Sequence, residues 1–437
     1  MNYYLPQYRL LFNKMEKRFG AELRKISEIA DVVCGPFGSA IKNTDYQEMG
    51  IPLIRITNIS KEGYMDYDDL IYISEELGNS LARTQVSEGD IVISQRGSLG
   101  QCAVVDDIFK KMNISANIIA IKNICGVSSE FLHDYLLSVV GQTLLERSVS
   151  GQVQRKITTQ DIADLPVPIK CNEKRLVKIV NDAYASRTHK HEKANKVLNG
   201  MNTYISSVLN IPSIVYKENH CCGVQLSNVI EDMTFSADYY HPERMAAIHT
   251  LRECRWLPVL KLYELVDFCR EIVNSSECSK QYLGLASVES QTGELSGVEE
   301  IAAGQAFSYR KNDVLYGRLR PYLNKVLLAE QDGICSTEFH VMRVLDSTRI
   351  LPEYLANIMR SDLILYQTRH MMTGNTHPRI SNEDVKNLYI PVPELLIQKK
   401  MVDELHQQRI KARKLRQEAD NEWQEAKVHF EKELLGE

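Results

Sequence analysis

Residues 174–208 contain no proline, a single glycine (Gly200) and many strong helix formers, so they read as one long helix. Alternate steps of four and three give Leu176, Val180, Ala183, Arg187, Lys190, Ala194, Val197, Met201, Tyr204 and Val208. That seam is apolar at both ends and charged in the middle. At 1.5 Å per residue the stretch spans roughly 52 Å, more than a small domain is wide. A second proline-free stretch, 398–435, repeats the stepping in Met401, Leu405, Gln408, Ala412, Leu415, Ala419, Glu422 and Ala426. Two such helices suggest an antiparallel pair that spaces two globular units; the plainer alternative packs each helix on its own domain. Trp423 and Phe430 on the second helix need cover, from a partner protein or from the other long helix.

The rest of the chain has the composition of an ordinary globular protein, 44% hydrophobic and 25% charged over 437 residues. No window approaches 18 apolar residues, and the first twenty residues lack the cationic and apolar regions of a secretion signal. The expected location is the cytoplasm. Ten cysteines without a CxxC read as reduced thiols, and His220 beside Cys221 and Cys222 has no second ligand pair at a zinc-like spacing. No metal site is expected. A net charge of −5 leaves nucleic acid open as a partner, because local clusters decide that question.

An internal repeat covers nearly the whole chain. Tyr3-Tyr4-Leu5-Pro6 recurs as Tyr239-Tyr240-His241-Pro242, a displacement of 236 (239 − 3). Beyond loops of unequal length the displacement becomes 223 (313 − 90): Asp90, Gly151, Ile157, Asp161, Leu165 and Pro168 match Asp313, Gly374, Ile380, Asp384, Leu388 and Pro391. Each half then runs into its long helix.

Short β-branched runs at 51–56 and 90–94 read as strands, and 130–146 has helical spacing. In the second half, strands are expected at 282–288, 313–316 and 325–328 and a helix at 352–367. Prolines make Leu165-Pro166-Val167-Pro168 and Ile390-Pro391-Val392-Pro393 extended exits toward the helices. The expected division is a first globular domain at 1–170, a spacer helix at 171–209, an irregular connector at 210–235, a second globular domain at 236–393 and a spacer helix at 394–437. The fold class is α+β, with two tandem mixed α/β domains of β-rich core, an antiparallel coiled coil and a pseudo-twofold repeat.

No catalytic motif is legible in the sequence. The sequence has no GxxxxGK[ST], GxGxxG after a strand, GxSxG or HExxH, and no Asn/Asp-Pro-Pro-Tyr/Phe loop of an amino-methyltransferase. The chain therefore reads as non-catalytic. What the halves share is polar, cationic loops at matched places. One follows the strand at 90–94, with Arg96 and Ser98; its counterpart carries Arg318, Arg320, Tyr322, Asn324 and Lys325. Residues 310–325 hold five cations and one acid, a local charge of +4. A second pair carries Gln152, Gln154, Arg155 and Lys156 in one half and Asn375, Thr376, His377 and Arg379 in the other. Cations neutralise phosphates, Gln and Asn match adenine edges, Arg matches guanine, and Tyr322 can pack on a sugar. Solvated turns would look similar, and Arg318 or Arg320 can instead be a structural ion-pair partner.

Gly35-Pro36-Phe37-Gly38-Ser39-Ala40-Ile41-Lys42, followed by Gly50-Ile51-Pro52-Leu53-Ile54-Arg55-Ile56-Thr57-Asn58-Ile59, resembles the opening of a target-recognition domain in the specificity subunit of type I restriction-modification systems. Asp313-Val314-Leu315-Tyr316-Gly317-Arg318-Leu319-Arg320-Pro321-Tyr322-Leu323-Asn324-Lys325, with Cys335-Ser336-Thr337-Glu338-Phe339 and residues 374–393, resembles the other common form of that domain. The second half lacks a counterpart of residues 35–42, so a DNA role for that loop does not transfer. The resemblance implies a non-catalytic reader of a bipartite site in double-stranded DNA, with helices that fix the gap. Two methyltransferase subunits would dock along the helices, with or without a restriction/translocase subunit. S-adenosylmethionine, ATP and magnesium would belong to the partner subunits. The recognition component of a related phage-defence complex, or a coiled-coil adaptor without nucleic acid, remain as alternatives.

Overall fold

A computed structural model describes the chain except residues 1–5, 38–39, 61, 97–98, 149–155, 217–222, 233, 276–279, 301, 303 and 373–377. It divides into two compact units, 1–190 with 417–437, and 191–416. Each long helix thus contributes one part to either unit. The first runs Glu173–Val208 and the second Leu395–Leu435. Asn172 caps the first by accepting the Arg175 N–H. Asn210, at φ 53°, ends it, and the Ile211 N–H bonds back to the Ser206 carbonyl.

In the first unit, strands Asp31–Cys34, Ile118–Lys122, Ile91–Ser94 and Cys102–Val104 form, in that order, an antiparallel sheet. The second unit repeats it as Val266–Cys269, Phe339–Val344, Val314–Gly317 and Val326–Leu328. Both faces are buried. Ile91 and Ile93 face the helices with Phe131 and Tyr135, while Val92 faces a second apolar cluster with Ala103 and Ala120. Val314 and Tyr316 against Leu315 show the same alternation.

The other four-stranded sheet is where the repeats part company. Ile51–Ile54 runs parallel to Met112–Ile114 and is extended outward by Ile71–Ile73. In the second unit the parallel strand is only Tyr282–Leu283 and sits at the edge, with Ile272–Asn274 added at the opposite end of the sheet. These extensions fall within the stretch where the displacement between the halves changes from 236 to 223. The longer strand expected at 282–288 stops early because the Ala286 and Ser287 N–H groups donate to the Glu300 carboxylate, at 2.9 and 3.3 Å, instead of to a strand.

The Pro-rich exits pair as short strands. Pro166–Pro168 lies antiparallel to Leu23–Lys25, and Tyr389–Pro391 to Val259–Lys261. Two-stranded ribbons tolerate proline because each strand has an unpaired edge. Each expected long helix after the sheet is two helices: Ser129–Leu137 and Val139–Ser148, then Pro352–Arg360 and Asp362–Thr368. The breaks fall at Ser138 and Ser361, whose hydroxyls donate to the carbonyls three residues back, both at 2.6 Å. The stretch expected as an irregular connector contains a helix at Leu226–Asp232.

In the first unit the helix segments run antiparallel, with Arg175 near Glu433 at 3.3 Å and Arg187 near Asp420 at 3.1 Å. The polar middle of the seam is satisfied there: Lys190 pairs with Glu422, which also accepts from the Ser186 hydroxyl at 2.9 Å. Buried apolar positions on the second helix are Met401, Leu405, Ala412, Ala419, Trp423, Phe430 and Leu434. The expected phase holds to Ala419 and then moves by one residue, away from Glu422 and Ala426. The cause is local, because Trp423 and Phe430 fill the core of the first unit, Trp423 edge-on to Tyr184 and Phe430 beside Phe131. Neither aromatic is left for a partner protein to cover.

Candidate nucleic-acid interface

The two matched loop pairs form one junction in each unit. In the first, strand Ile91–Ser94 hands over to Gln95, whose N–H bonds the Asn117 carbonyl at 2.9 Å. The Gln95 carbonyl accepts the Ile157 N–H at 3.1 Å. Arg96 therefore starts its loop beside the end of the second loop. Its side chain is exposed, and Lys156 is half-buried. Ser98, Gln152, Gln154 and Arg155 lie outside the described residues.

The second unit repeats the junction at the matched residues. The Arg318 carbonyl accepts the Ile380 N–H at 3.0 Å, the Arg320 N–H donates to the Pro378 carbonyl at 2.8 Å, and Leu319 bridges Arg379. Asn375, Thr376 and His377 lie outside the described residues. Arg320 and Asn324 frame the turn Pro321–Leu323 with left-handed backbones, φ 50° and 49°. Non-glycine residues adopt that region at a cost, so contacts elsewhere hold the turn. Gln291 supplies them, its N–H bonding the Leu323 carbonyl at 3.2 Å and its side-chain amide the Tyr322 carbonyl at 3.1 Å.

The expected readers then separate by what their side chains touch. Arg320 is exposed and has no side-chain hydrogen bond or ion pair to a described residue, and the Tyr322 ring is 41% exposed. Asn324 is a correction: it is 2% exposed, and its amide donates to the Arg360 carbonyl at 2.6 Å and to Gln291 at 3.3 Å, so it holds the turn from inside. Lys325 donates to the Leu285 carbonyl at 2.8 Å. Arg318 lies inward, near the Thr337 carbonyl, with its Nε buried and unbonded. Burial, with the Arg318 charge as a second cause, pushes the pKa of His340 down to about 3. Arg379 is gripped by Glu338 through two guanidinium nitrogens at 2.7–3.1 Å.

Sequence reading missed three supporting residues: Gln291, Glu338 and Arg343. Arg343 holds the loop's one acid, Asp313, at 2.7 and 2.8 Å; Asp313 is 1% exposed. That acid is matched from the neighbouring strand, so it does not offset the exposed loop cations. Only Glu338 had a signal, its place in the quoted run at 335–339.

Among the described residues one group has metal-ligand types together, His241, Glu243 and His370. Glu243 hydrogen-bonds His370 Nε2 at 2.9 Å, and the same oxygen forms an ion pair with Arg369, whose Nε lies 3.1 Å away. A guanidinium against the carboxylate competes with any cation there. The Cys221-Cys222 pair and His220 lie outside the described residues. Among the described residues no helix is long and apolar enough to cross a membrane.

Comparison with known proteins finds a family match over the loops of the second unit. Residues 280–419 match the type I restriction modification DNA specificity domain. The chain is similar to the specificity subunit of type I restriction enzyme EcoBI from Escherichia coli, 27% identical over 37% of this chain and 34% of that one. It is also similar to the EcoDI specificity subunit of the same organism, 26% identical over 28% of this chain and 27% of the relative. The chain thus spans about a third of the length of the curated relatives it matches. A solved chain of a type I restriction-modification system aligns over 94% of this chain and 97% of its own, at TM-score 0.45 and 14% identity. Residues 280–419 thus match a type I DNA specificity domain, and the chain is similar to two type I specificity subunits over about a third of their length.

Proposed function

We propose that the chain is the DNA-reading subunit of a type I restriction-modification complex, each unit reading one half of a bipartite site in double-stranded DNA. One observation carries this reading: the same strand-end and loop junction recurs at matched residues of both units, Gln95 with Ile157 and Arg318 with Ile380, and each displays an exposed arginine. Two presentation sites of one geometry and different content suit two half-sites of different sequence. Arg96, Lys156, Arg320 and Tyr322 lie at the surface of these junctions, and Ser98, Gln152, Gln154, Arg155, Asn375, Thr376 and His377 belong to the same two loop pairs. Arg318, Asn324 and Lys325 shape the second junction from within. Arg379 acts as a charge held in reserve by Glu338.

In this reading the long helices set the gap between half-sites and dock two methyltransferase subunits. Catalysis, with S-adenosylmethionine, ATP and magnesium, belongs to the partners, and the chain itself is non-catalytic and works in the cytoplasm. The test is retention of the chain with its methyltransferase on duplex DNA over a range of salt. A steep fall of log affinity with log salt, flattened in Arg96→Ala and Arg320→Ala, supports the reading. A stable protein complex with no DNA retention favours an adaptor.

A further inference from the structure

The repeats also diverge where the helix that follows the sheet ends against the long helices. Ser129–Leu137 and Pro352–Arg360 are equivalent, nine residues each and 223 apart (352 − 129), and each stops at a serine turn. Beyond that turn the first unit is filled. Leu137, Val180, Trp423 and Phe430 leave only about 30 Å³, and Tyr64 stacks on Tyr184 with centroids 3.6 Å apart. In the second unit the residue equivalent to Leu137 is Arg360, and the same place is a cavity of about 510 Å³. The fold closes this space in one copy, so it does not require the cavity in the other.

Its lining has a definite chemistry. Arg360, Arg409 and Arg416 face it together with Asn195, Asn199 and Asn202, which stand at i, i+4 and i+7 along one face of the first long helix. The one acid in the lining, Asp362, is drawn to Arg369, and Arg416 pairs with Glu289 at 3.5 Å; neither partner lines the cavity, so Arg360 and Arg409 are the two charges left. The buried Nε of Arg360 has no hydrogen-bond partner, and its other nitrogens reach only neutral acceptors, the Val326 carbonyl at 3.4 Å and Asn357 at 3.3 Å. Arg409 makes no hydrogen bond or ion pair with any described residue. Glu294, the carboxylate that attracts both Arg409 and Arg360, is held by Arg413 at 3.2 Å. Burial pushes both guanidinium pKa values down, Arg409 to about 10, and the charge of Arg409 lowers that of Arg360 further. Two inward arginines whose one nearby acid is already paired elsewhere are costly unless something anionic sits between them.

We propose that this cavity binds a phosphorylated small ligand, its phosphate held by Arg360 and Arg409 and the remainder lying along the asparagine face. Guanidinium forks match phosphate oxygens in pairs, and the volume falls in the range of nucleotide-sized ligands. Leu198 and Leu405 give the cavity an apolar wall for a ring.

The test is calorimetric titration of the full chain with inorganic phosphate, pyrophosphate and AMP, alongside Arg360→Leu and Arg409→Gln. Arg360→Leu installs the residue of the first repeat and removes a buried charge, so it should fold at least as well; thermal unfolding checks this. Saturable 1:1 binding by the wild type, weakened at least about tenfold in each variant, is the expected result. AMP tighter than phosphate assigns a nucleotide, and equal affinities assign the phosphate group alone. No binding of any of the three at millimolar concentration, or binding unchanged in both variants, overturns the proposal. DNA retention lost in Arg360→Leu without small-ligand binding also overturns it, in favour of a DNA-backbone contact.

Discussion

Arg320 separates the fold from DNA reading, because Arg320→Gly should move stability and binding in opposite directions. The residue sits at φ 50°, ψ 66°, its N–H bonded to the Pro378 carbonyl and its own carbonyl accepting the Leu323 N–H, both at 2.8 Å. Glycine keeps both backbone bonds and removes a left-handed cost of about 1–2 kcal/mol, against about 0.5–1 kcal/mol of extra chain entropy on folding. The second unit should therefore gain about 0.5–1 kcal/mol. Loss of the exposed guanidinium should weaken cognate DNA binding by about 1–3 kcal/mol if it reads a base, or cut the salt slope by roughly 0.9 if it meets a phosphate. Arg320→Lys distinguishes the roles, since an ammonium serves a phosphate but not a bidentate base edge. The assays are the thermal unfolding midpoint and fluorescence anisotropy on duplex DNA with the methyltransferase present. If Arg320→Gly binds with unchanged affinity and slope, the junction of the second unit is not the DNA-facing surface. A drop in stability would show that the side chain, not its backbone, holds the turn.

Asn324→Ala removes a buried donor from the Arg360 carbonyl and should cost the second unit about 1–3 kcal/mol in denaturant unfolding. His340, with a pKa of about 3 in the fold against an unfolded value near 6.5, binds its proton first in the unfolded chain. Stability is thus fully present above the unfolded pKa and falls as pH drops below it, until the folded histidine protonates near 3. Between neutral pH and about pH 5 the wild type should lose about 2 kcal/mol more than His340→Gln, read from unfolding at both pH values. Glu338→Gln removes the carboxylate that grips Arg379 through two nitrogens, so DNA retention should rise and its salt dependence steepen. Unchanged retention would mean that Arg379 points away from DNA with or without its partner.

Much of the architecture is written in local pattern. Proline-free stretches with a seven-residue apolar rhythm mark both long helices, and the spacing of Asp90, Ile157 and Pro168 against Asp313, Ile380 and Pro391 reveals the repeat that the paired sheets embody. The failures arise where tertiary contacts override local pattern. Glu300 captures the backbone of Ala286 and Ser287 and ends a strand whose residues favour continuing it. Trp423 is large enough to pull the seam of its helix round by one position. At the junctions, the sequence shows which residues are cationic but not which cations are already engaged. Arg379 meets a glutamate 41 residues away, and Asn324 meets a carbonyl 36 residues away. No window of sequence contains those pairs. Gly35 is a smaller case: a Cβ there would come within 2.0 Å of the Ser115 carbonyl oxygen, which explains why glycine opens the 35–42 run.

The central claim is that two units of one fold read two halves of one DNA site. Its most direct test is to express the chain with the methyltransferase encoded beside it and map methylated adenines across the host genome. The account predicts one split motif with a gap of constant length, whose one half alone changes when the junction of the second unit is altered at Arg320. A single uninterrupted motif, or no added methylation from a stable complex, would contradict it.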